Sequence, residues 1–238
     1  LEELQGRDAD DRFQREKPAL SCTPLLPQGN QGLRCKVLGG YFSEWCDDDA
    51  RWAVQQVARA LLADDEITLP QASLARTAAF ILSASEGGSL YLPALRHSPE
   101  LFEPHSRERL TAGAMLPAAW YVQAQRFRDL FRRQVLPLFE QVDVLIAPAT
   151  PCCATLIGQK TMHINHTDLP VRASMGMLTQ PISFVGLPVT TVPLMTPRGL
   201  PIGVQLIAAP WREDLCLRAA WALEQQGVAS AAPLQDLF

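Results

Sequence analysis

The sequence of 238 residues is long enough for one domain or two small ones, and its 47% hydrophobic and 19% charged residues are typical of a globular protein rather than a disordered chain. A formal net charge of −4, from 25 acidic and 21 basic residues, argues against a nucleic-acid-binding protein, since such proteins usually carry a basic face. We expect no membrane-spanning helix, because the sequence holds no run of about 18 apolar residues.

The amino-terminal part of the sequence is the least regular. Residues 1–32 are polar and contain several prolines and glycines, which predicts an irregular connector. The chain starts at Leu1 without a methionine and without the apolar core of a signal peptide. We therefore expect the sequence to be a piece of a longer polypeptide.

Regular elements are predicted from residue 33 onward. A short strand is predicted over 33–38, and Asp47 then caps a helix whose apolar side chains recur with i, i+3, i+4 spacing. These apolar positions are Ala50, Ala53, Val54, Val57, Ala58, Leu61 and Leu62. A second helix is predicted over 70–86, with Gly87-Gly88 as its stop, and a long helix over 116–138.

The second half of the sequence is richer in strands. The apolar run 142–147 predicts a strand buried on both faces, and residues 148–183, which show little periodicity, predict a long loop. The remaining predicted elements are two neighbouring antiparallel strands, 189–192 and 202–207, and a helix over 213–226. Because helices and strands are interleaved without a repeat or a clear boundary, we predict one α/β unit.

The cysteines and histidines offer two kinds of chemistry. The six cysteines form no Cys-x-x-Cys pair, so we interpret most of them as small buried hydrophobes in a reducing cytoplasm. Cys152, Cys153, His163 and His166 could form a metal site, but adjacent cysteines point apart in an extended chain, so we predict no metal and no cofactor. A thiol nucleophile, with Cys152 or Cys153 paired to one of these histidines, stays open beside the alternative of an ordinary loop.

Four motifs resemble the amidase signature family, in the order expected for its carboxy-terminal half. They are 121–128 (YVQAQRFR), Phe139 with 142–151 (VDVLIAPATP), Gly186-Leu187-Pro188-Val189 and 199–207 (GLPIGVQLI). Leu4-Gln5-Gly6 and Asp8 resemble the segment that follows the catalytic core of the family. The resemblance therefore covers nearly the whole chain.

This resemblance implies a fold and a mechanism. It implies the carboxy-terminal part of the α/β amidase signature fold, a mixed central sheet covered by helices, with residues 1–238 forming one portion of a single domain. Family members hydrolyse amides with a serine nucleophile, a second serine in a cis peptide and a lysine base, all in the amino-terminal half. No matching Gly/Ser-rich signature or lysine occurs here, so we predict no catalytic residue in this chain.

A finer resemblance points to one branch of the family. The stretches 85–96 (SEGGSLYLPALR) and 178–184 (LTQPISF), with Phe102-Glu103-Pro104, are similar to carboxybiuret and biuret hydrolases of s-triazine degradation. The tRNA-dependent glutamine amidotransferase branch is an alternative. There an acidic residue that holds the substrate's amino group precedes the Gly-Leu-Pro motif, and Gly176 stands at the matching position here.

The branch resemblance implies a small, planar substrate that is rich in amide groups and is carboxylated in some cases. Such a substrate needs donors and acceptors at fixed positions, and a guanidinium group suits a carboxylate. The predicted substrate-binding residues are Tyr91, Arg96, Arg172, Thr179 and Gln180. The alternatives are that both arginines are ordinary surface residues and that Gln180 bonds its local backbone. We interpret Arg126, Arg128, Arg132 and Arg133 as a solvated helix face or a subunit contact.

The predicted partners follow from the same resemblance. We expect the amino-terminal half of the same enzyme and a small amide substrate. Further expected partners are a second copy, which would form a homodimer, and a small accessory subunit, but neither nucleic acid nor membrane. The other interpretation of the chain is a non-catalytic interaction subunit, or an inactive remnant, built on the amidase fold.

Overall fold

The computed structural model describes residues 1–15 and 17–231. Its helices are α1 (Tyr41–Glu44), α2 (Asp48–Ala60), α3 (Ala72–His97), α4 (Pro104–Ala114), α5 (Ala118–Val135), α6 (Val171–Ser174), α7 (Gln180–Val185) and α8 (Glu213–Gln225). Its strands are β1 (Cys35–Leu38), β2 (Glu66–Ile67), β3 (Val144–Pro148), β4 (Thr161–Ile164), β5 (Thr167–Pro170), β6 (Val189–Met195) and β7 (Pro201–Ile207). Short 3-10 helices occur in the predicted connector, at Glu2–Leu4 and Thr23–Gln28.

The central sheet is mixed, as predicted. Its strand order is β2-β1-β3-β7-β6, in which β1 runs parallel to β2 and β3 whereas β7 runs antiparallel to β3 and β6. All residues of β3 are buried, and both α2 and α8 pack against β3 and β7. The prediction of a strand buried on both faces is therefore confirmed, and this strand lies at the centre of the sheet.

Helix α2 follows its sequence signals closely. The side chain of Asp47 accepts a hydrogen bond of 2.9 Å from the backbone N–H of Ala50, and the predicted apolar face from Ala50 to Ala58 is buried. The prediction was wrong for Leu62. This residue has a positive φ of 57° beyond the helix end and is 77% exposed.

The predicted stop of the second helix at Gly87-Gly88 was wrong, since α3 continues to His97. The glycines lie where α3 crosses α4. A Cβ atom on Gly88 would lie 2.3 Å from the backbone nitrogen of Ala114, and one on Gly113 would lie 2.0 Å from the carbonyl oxygen of Ala84. Glycine is therefore required here for close approach of two backbones and not for a helix end.

The predicted long loop 148–183 was also wrong in part. It contains a β-hairpin, in which β4 and β5 pair in antiparallel register with Ile164 opposite Thr167, and the short helices α6 and α7. The two turn residues, Asn165 and His166, have φ values of 49° and 58°. Positive φ at both central residues is the backbone of a type I′ turn, and Asn and His are among the non-glycine residues that are enriched at positive φ.

The carboxy-terminal elements are close to their predicted bounds. Strands β6 and β7 form the predicted antiparallel pair, and the turn between them is closed by hydrogen bonds between Thr196 and Leu200, with Gly199 at a positive φ. Helix α8 ends at Gln225, shortly before Gly227, which has a φ of 71°. No helix in the described residues is long and apolar enough to cross a membrane.

Candidate functional site

Segment 173–180, which runs from the end of α6 to the first residue of α7, is held by side chains from three other elements. Arg76 of α3 donates to the carbonyl oxygen of Ala173 at 3.0 Å, and Tyr41 of α1 donates from its hydroxyl to that of Met177 at 3.1 Å. Gln205 of β7 donates from Nε2 to the carbonyl oxygen of Leu178 at 3.3 Å. Each of these bonds pairs a main-chain oxygen that helix or sheet pairing leaves unused, so an irregular segment gains a defined conformation.

Two predicted substrate-binding residues stand at the end of this segment, where α7 begins. The hydroxyl of Thr179 donates to the carbonyl oxygen of Gly176 at 3.0 Å, so this side chain first serves its own turn. The side-chain oxygen of Gln180 is buried and has no hydrogen-bond partner within the described residues. Buried polar atoms are usually paired, so this oxygen is a candidate acceptor for a donor that comes from outside this chain.

Two further predicted substrate-binding residues, Tyr91 and Arg172, contact the residues that directly precede α4. The ring of Tyr91 packs edge-on against Phe102, with ring centroids 5.9 Å apart. The neighbouring Glu103 accepts a hydrogen bond of 2.9 Å from Nη2 of Arg172. Tyr91 therefore contacts Phe102, and Arg172 contacts the adjacent Glu103. The exposed guanidinium of Arg172 already forms an ion pair with this carboxylate of its own chain.

Glu103 has a second role as the cap of α4. Its carboxylate accepts hydrogen bonds from the backbone N–H groups of Ser106 at 2.8 Å and His105 at 3.2 Å. Hydrogen bonds from Ser106, first from its side chain and then from its backbone, lower the pKa of Glu103 to about 2, with smaller contributions from His105 and Arg172. The carboxylate is therefore charged at neutral pH and fixes the position of Arg172.

Arg96 stands apart from the other predicted residues. It lies in the last turn of α3 and is exposed. In the part of the chain that the structure describes, no hydrogen bond or ion pair joins it to Tyr91, Arg172, Thr179 or Gln180. The structure thus places Tyr91 and Arg172 around Phe102-Glu103, and Thr179 and Gln180 at the start of α7. Segment 173–180 directly follows Arg172 in the sequence.

Of the four helix α5 arginines interpreted as a solvated face or a subunit contact, Arg126, Arg128 and Arg133 are exposed and Arg132 is partly buried, and two of the four also bond the end of α7. Nε of Arg128 donates to the carbonyl oxygen of Phe184 at 2.8 Å, and Nη1 of Arg132 donates to that of Val185 at 2.7 Å. Both carbonyls belong to the last turn of α7, where cations offset the negative end of the helix dipole. These bonds join helix α5, which carries the motif 121–128, to the two residues that precede the Gly-Leu-Pro motif at Gly186. The spacing of the arginines on one helix face was the only sequence signal for this contact.

The cysteine and histidine residues form neither a metal site nor a nucleophilic pair. Cys152 contacts the sulfur of Met162 at 3.7 Å and Cys153 contacts a carboxylate oxygen of Asp49 at 3.6 Å, whereas His163 pairs with Asp168 at 2.8 Å on the hairpin. Burial, with a smaller effect of Asp47, raises the pKa of Cys152 to about 11, which disfavours the thiolate that a nucleophile needs. Among the described residues, no group of three or more His, Cys, Asp or Glu side chains is placed to hold a metal ion.

Comparison with known sequences assigns the family of this fold. The sequence model of the amidase family, described as "Amidase", matches residues 1–217. The chain is 46% identical to the AtzE subunit of 1-carboxybiuret hydrolase from Pseudomonas sp. (strain ADP) over 228 residues, which are 95% of this chain and 50% of the relative. It is 30% identical to a glutamyl-tRNA(Gln) amidotransferase subunit of Roseiflexus castenholzii over 253 residues, with 94% of this chain and 50% of that protein covered.

Solved structures show the same similarity in three dimensions. One inhibitor-bound structure superposes on this chain with a TM-score of 0.93 and 46% identity. It is described as an unexpected vestigial protein complex that reveals the evolutionary origins of an s-triazine catabolic enzyme, and the match covers 96% of this chain and 50% of that chain. A crystal structure of an amidase has a TM-score of 0.74 and 25% identity, over 81% of this chain and 45% of that chain. The chain thus spans about half the length of the curated relatives it matches.

Proposed function

The chain belongs to the amidase signature family, and from this premise we propose that residues 1–238 are the carboxy-terminal half of a single-domain amidohydrolase. The enzyme would cleave a C–N amide bond of a small amide of the carboxybiuret or biuret kind. The observation that carries this proposal is the 46% identity to a carboxybiuret hydrolase subunit over 95% of the chain.

In this proposal the chemistry and the recognition are divided between the two halves. The serine nucleophile, the serine in the cis peptide and the lysine base of the family would come from an amino-terminal half. This chain would supply a wall of the substrate site at the start of α7. The buried, unpaired side-chain oxygen of Gln180 suits an N–H group of a small amide, and Thr179 retains lone pairs that can accept a second hydrogen bond.

The second pair of residues would recognise the other end of the substrate. Tyr91 offers an aromatic face to a planar molecule, and the guanidinium of Arg172 is held in place by Glu103 while its exposed N–H groups stay available. Arg96 is the alternative partner for a substrate carboxylate, because no ion pair in the described part of the chain engages it. A bidentate contact of either arginine with a carboxylate would discriminate carboxylated from neutral amides.

A glutamine amidotransferase subunit is the second candidate, favoured by the 30% identity to such a protein. The position that carries the acidic residue in that branch is Gly176 here. A Cβ atom at Gly176 would meet nothing closer than the hydroxyl of Thr179 at 3.8 Å, so a Cβ atom fits at this position. The absence of a carboxylate at this position favours a substrate without the amino group that the carboxylate holds.

Complementation tests the proposal directly. We would co-express residues 1–238 with the amino-terminal half of the Pseudomonas relative and measure ammonia release from carboxybiuret, biuret and glutamine. We expect release from carboxybiuret or biuret by the two halves together and none by residues 1–238 alone, since the loss of nucleophile and base removes nearly all catalysis. The amino-terminal half alone should release none, because it lacks the wall of the substrate site and part of the shared core. A folded two-chain complex that releases no ammonia would instead support a non-catalytic subunit or remnant, and a preference for glutamine would support the second candidate.

The partners and the compartment belong to the same proposal. We expect the amino-terminal half as the principal partner, and further partners in a second copy of the enzyme and a small accessory subunit. We expect the enzyme in the cytoplasm, because the six cysteines are free thiols and all but Cys152 are buried. The mass of the purified, active enzyme in solution checks the first expectation.

A further inference from the structure

Gln205 is a buried polar residue in the most apolar part of the sheet. It lies on β7, opposite Ala147 of β3 and Thr191 of β6, and it is 2% exposed. Its neighbours along the strand, Val204 and Leu206, are fully buried apolar residues. A buried amide in such surroundings is unfavourable unless it is hydrogen-bonded, so its contacts indicate its purpose.

The two hydrogen bonds of the Gln205 amide join two separate parts of the chain. Nε2 donates to the carbonyl oxygen of Pro148, at the end of β3, at 2.9 Å, and to that of Leu178 at 3.3 Å. Pro148 is the last residue of the central strand, and Leu178 directly precedes Thr179 and Gln180. One amide group therefore sets the distance between the end of the central strand and the start of α7.

This link differs from the other two contacts to the 173–180 segment. Arg76 and Tyr41 each hold one carbonyl of the segment, at Ala173 and Met177, from helices. Gln205 holds the carbonyl nearest to Gln180, and it does so from the rigid sheet. A 1 Å error in the placement of a binding group can cost roughly a hundredfold in rate, so the anchor closest to that group matters most.

We propose that Gln205 is a positioning residue, which fixes segment 178–180 against the end of β3 so that Thr179 and Gln180 face the substrate. It acts through these residues and does not touch the substrate itself. The inference rests on the proposed function for its effect on catalysis, but the anchoring of the segment can be measured without any activity.

The first test measures the anchoring in the complex of this chain with its amino-terminal half. Gln205→Met keeps the size of the side chain and removes both donors, whereas Val204→Ala removes buried volume one residue away on the same strand and serves as the control. We expect amide hydrogen exchange over residues 178–182 to accelerate roughly tenfold or more in Gln205→Met and to stay near the parent rate in Val204→Ala, because a lost buried hydrogen bond changes a local opening equilibrium by about this factor. Unchanged exchange in Gln205→Met overturns the proposal, whether or not the complex is active.

The second test measures the effect on catalysis. We expect Gln205→Met to lower kcat/KM for the amide roughly tenfold, mainly through KM, and to leave labelling of the serine by a small acylating probe unchanged. In the Gln180→Ala background the same substitution should add little, because its effect passes through segment 178–180. Fully additive losses in the double variant overturn the proposal. If the parent complex releases no ammonia, the proposed function fails and the exchange experiment alone decides the role of Gln205.

A second substitution of Gln205 tests the proposal if Gln205→Met does not fold. Gln205→Glu preserves shape and places a carboxyl group beside two carbonyl oxygens, so burial and these oxygens raise its pKa. Below that pKa the neutral carboxyl has one O–H to donate, and kcat/KM should therefore rise as the pH falls, relative to the parent. A pH profile that parallels that of the parent overturns the proposal.

Discussion

The side-chain oxygen of Gln180 makes the sharpest residue-scale prediction. In the complete enzyme we expect Gln180→Ala to lower kcat/KM roughly five- to a hundredfold, because a buried donor of the substrate that is left without a partner costs about 1–3 kcal/mol. Labelling of the serine by a small acylating probe should be unaffected. Parent-like turnover of Gln180→Ala would show that its oxygen is satisfied by the other half of the enzyme and not by substrate.

A substitution of Arg96 distinguishes Arg96 from Arg172 as the residue that binds a substrate carboxylate. If Arg96 binds a substrate carboxylate, Arg96→Ala should lower kcat/KM for carboxybiuret roughly tenfold or more and leave turnover of neutral biuret nearly unchanged. Arg133→Ala is the matched control, since Arg133 is an exposed helix arginine that pairs with Asp129 at 2.7 Å. Parent-like kcat/KM of Arg96→Ala for carboxybiuret would leave Arg172 as the carboxylate-binding residue.

The cap carboxylate of Glu103 predicts a pH dependence of stability. Its pKa is lowered from 4.5 to about 2 in the folded protein, so the stability it contributes is fully present above pH 4.5 and is lost as the pH falls toward 2. We expect the difference in unfolding midpoint between the parent and Glu103→Gln to be constant between pH 5 and 7 and to shrink below pH 4.5. A difference that grows as the pH falls would contradict the assigned hydrogen bonds.

At the scale of elements, the crossing of α3 and α4 distinguishes two kinds of glycine. A Cβ atom on Gly113 would meet the backbone of Ala84, which cannot move without the helix, whereas one on Gly87 would meet only the side-chain end of Leu110 at 2.9 Å. We expect Gly113→Ala to destabilise the protein by about 1–3 kcal/mol or more, as overpacking does. Gly87→Ala should change the free energy of unfolding little, because a gain of up to about 1 kcal/mol in helix propensity offsets the cost of moving the side chain of Leu110.

Chemical denaturation of the two variants in the complete enzyme checks this prediction. Equal stabilities of Gly113→Ala and Gly87→Ala would show that α3 and α4 do not approach as closely as the structure places them.

At the scale of the molecule, the sheet leaves an edge without a partner among the described residues. Strand β6 is the last strand of the sheet order, and its outward positions include the exposed apolar residues Val189 and Met195. An unpaired, partly apolar strand edge is a template for aggregation. We therefore expect residues 1–238 expressed alone to aggregate or oligomerise, and to become soluble on co-expression with the amino-terminal half.

Size-exclusion chromatography and thermal melting of the chain with and without its partner half check this expectation. Monomeric material that melts cooperatively from residues 1–238 alone would contradict it, and would also weaken the proposal that the two halves form one domain.

Elements that depend on neighbouring residues in the sequence could be predicted from the sequence alone. Asp47 and the spacing that follows it determine α2, the apolar run before Pro148 determines β3, and the turn with Gly199 determines the β6–β7 pair. Four short motifs in the expected order, from 121–128 to 199–207, together indicated the amidase signature family, whose model matches residues 1–217. In each case a cap, a periodic pattern or a turn residue acts within a few positions, so the information is local.

Only the tertiary structure decided the features that depend on distant partners. Gly88 lies inside a helix where α4 passes close beside it, and Arg128 and Arg132 donate hydrogen bonds to the end of α7. The amide of Gln205 reaches Leu178, which is 27 residues away in the sequence. A glycine, an arginine or a glutamine has the same local preferences whether or not it makes a tertiary contact. The contact that decides its role forms only when distant parts of the chain come together.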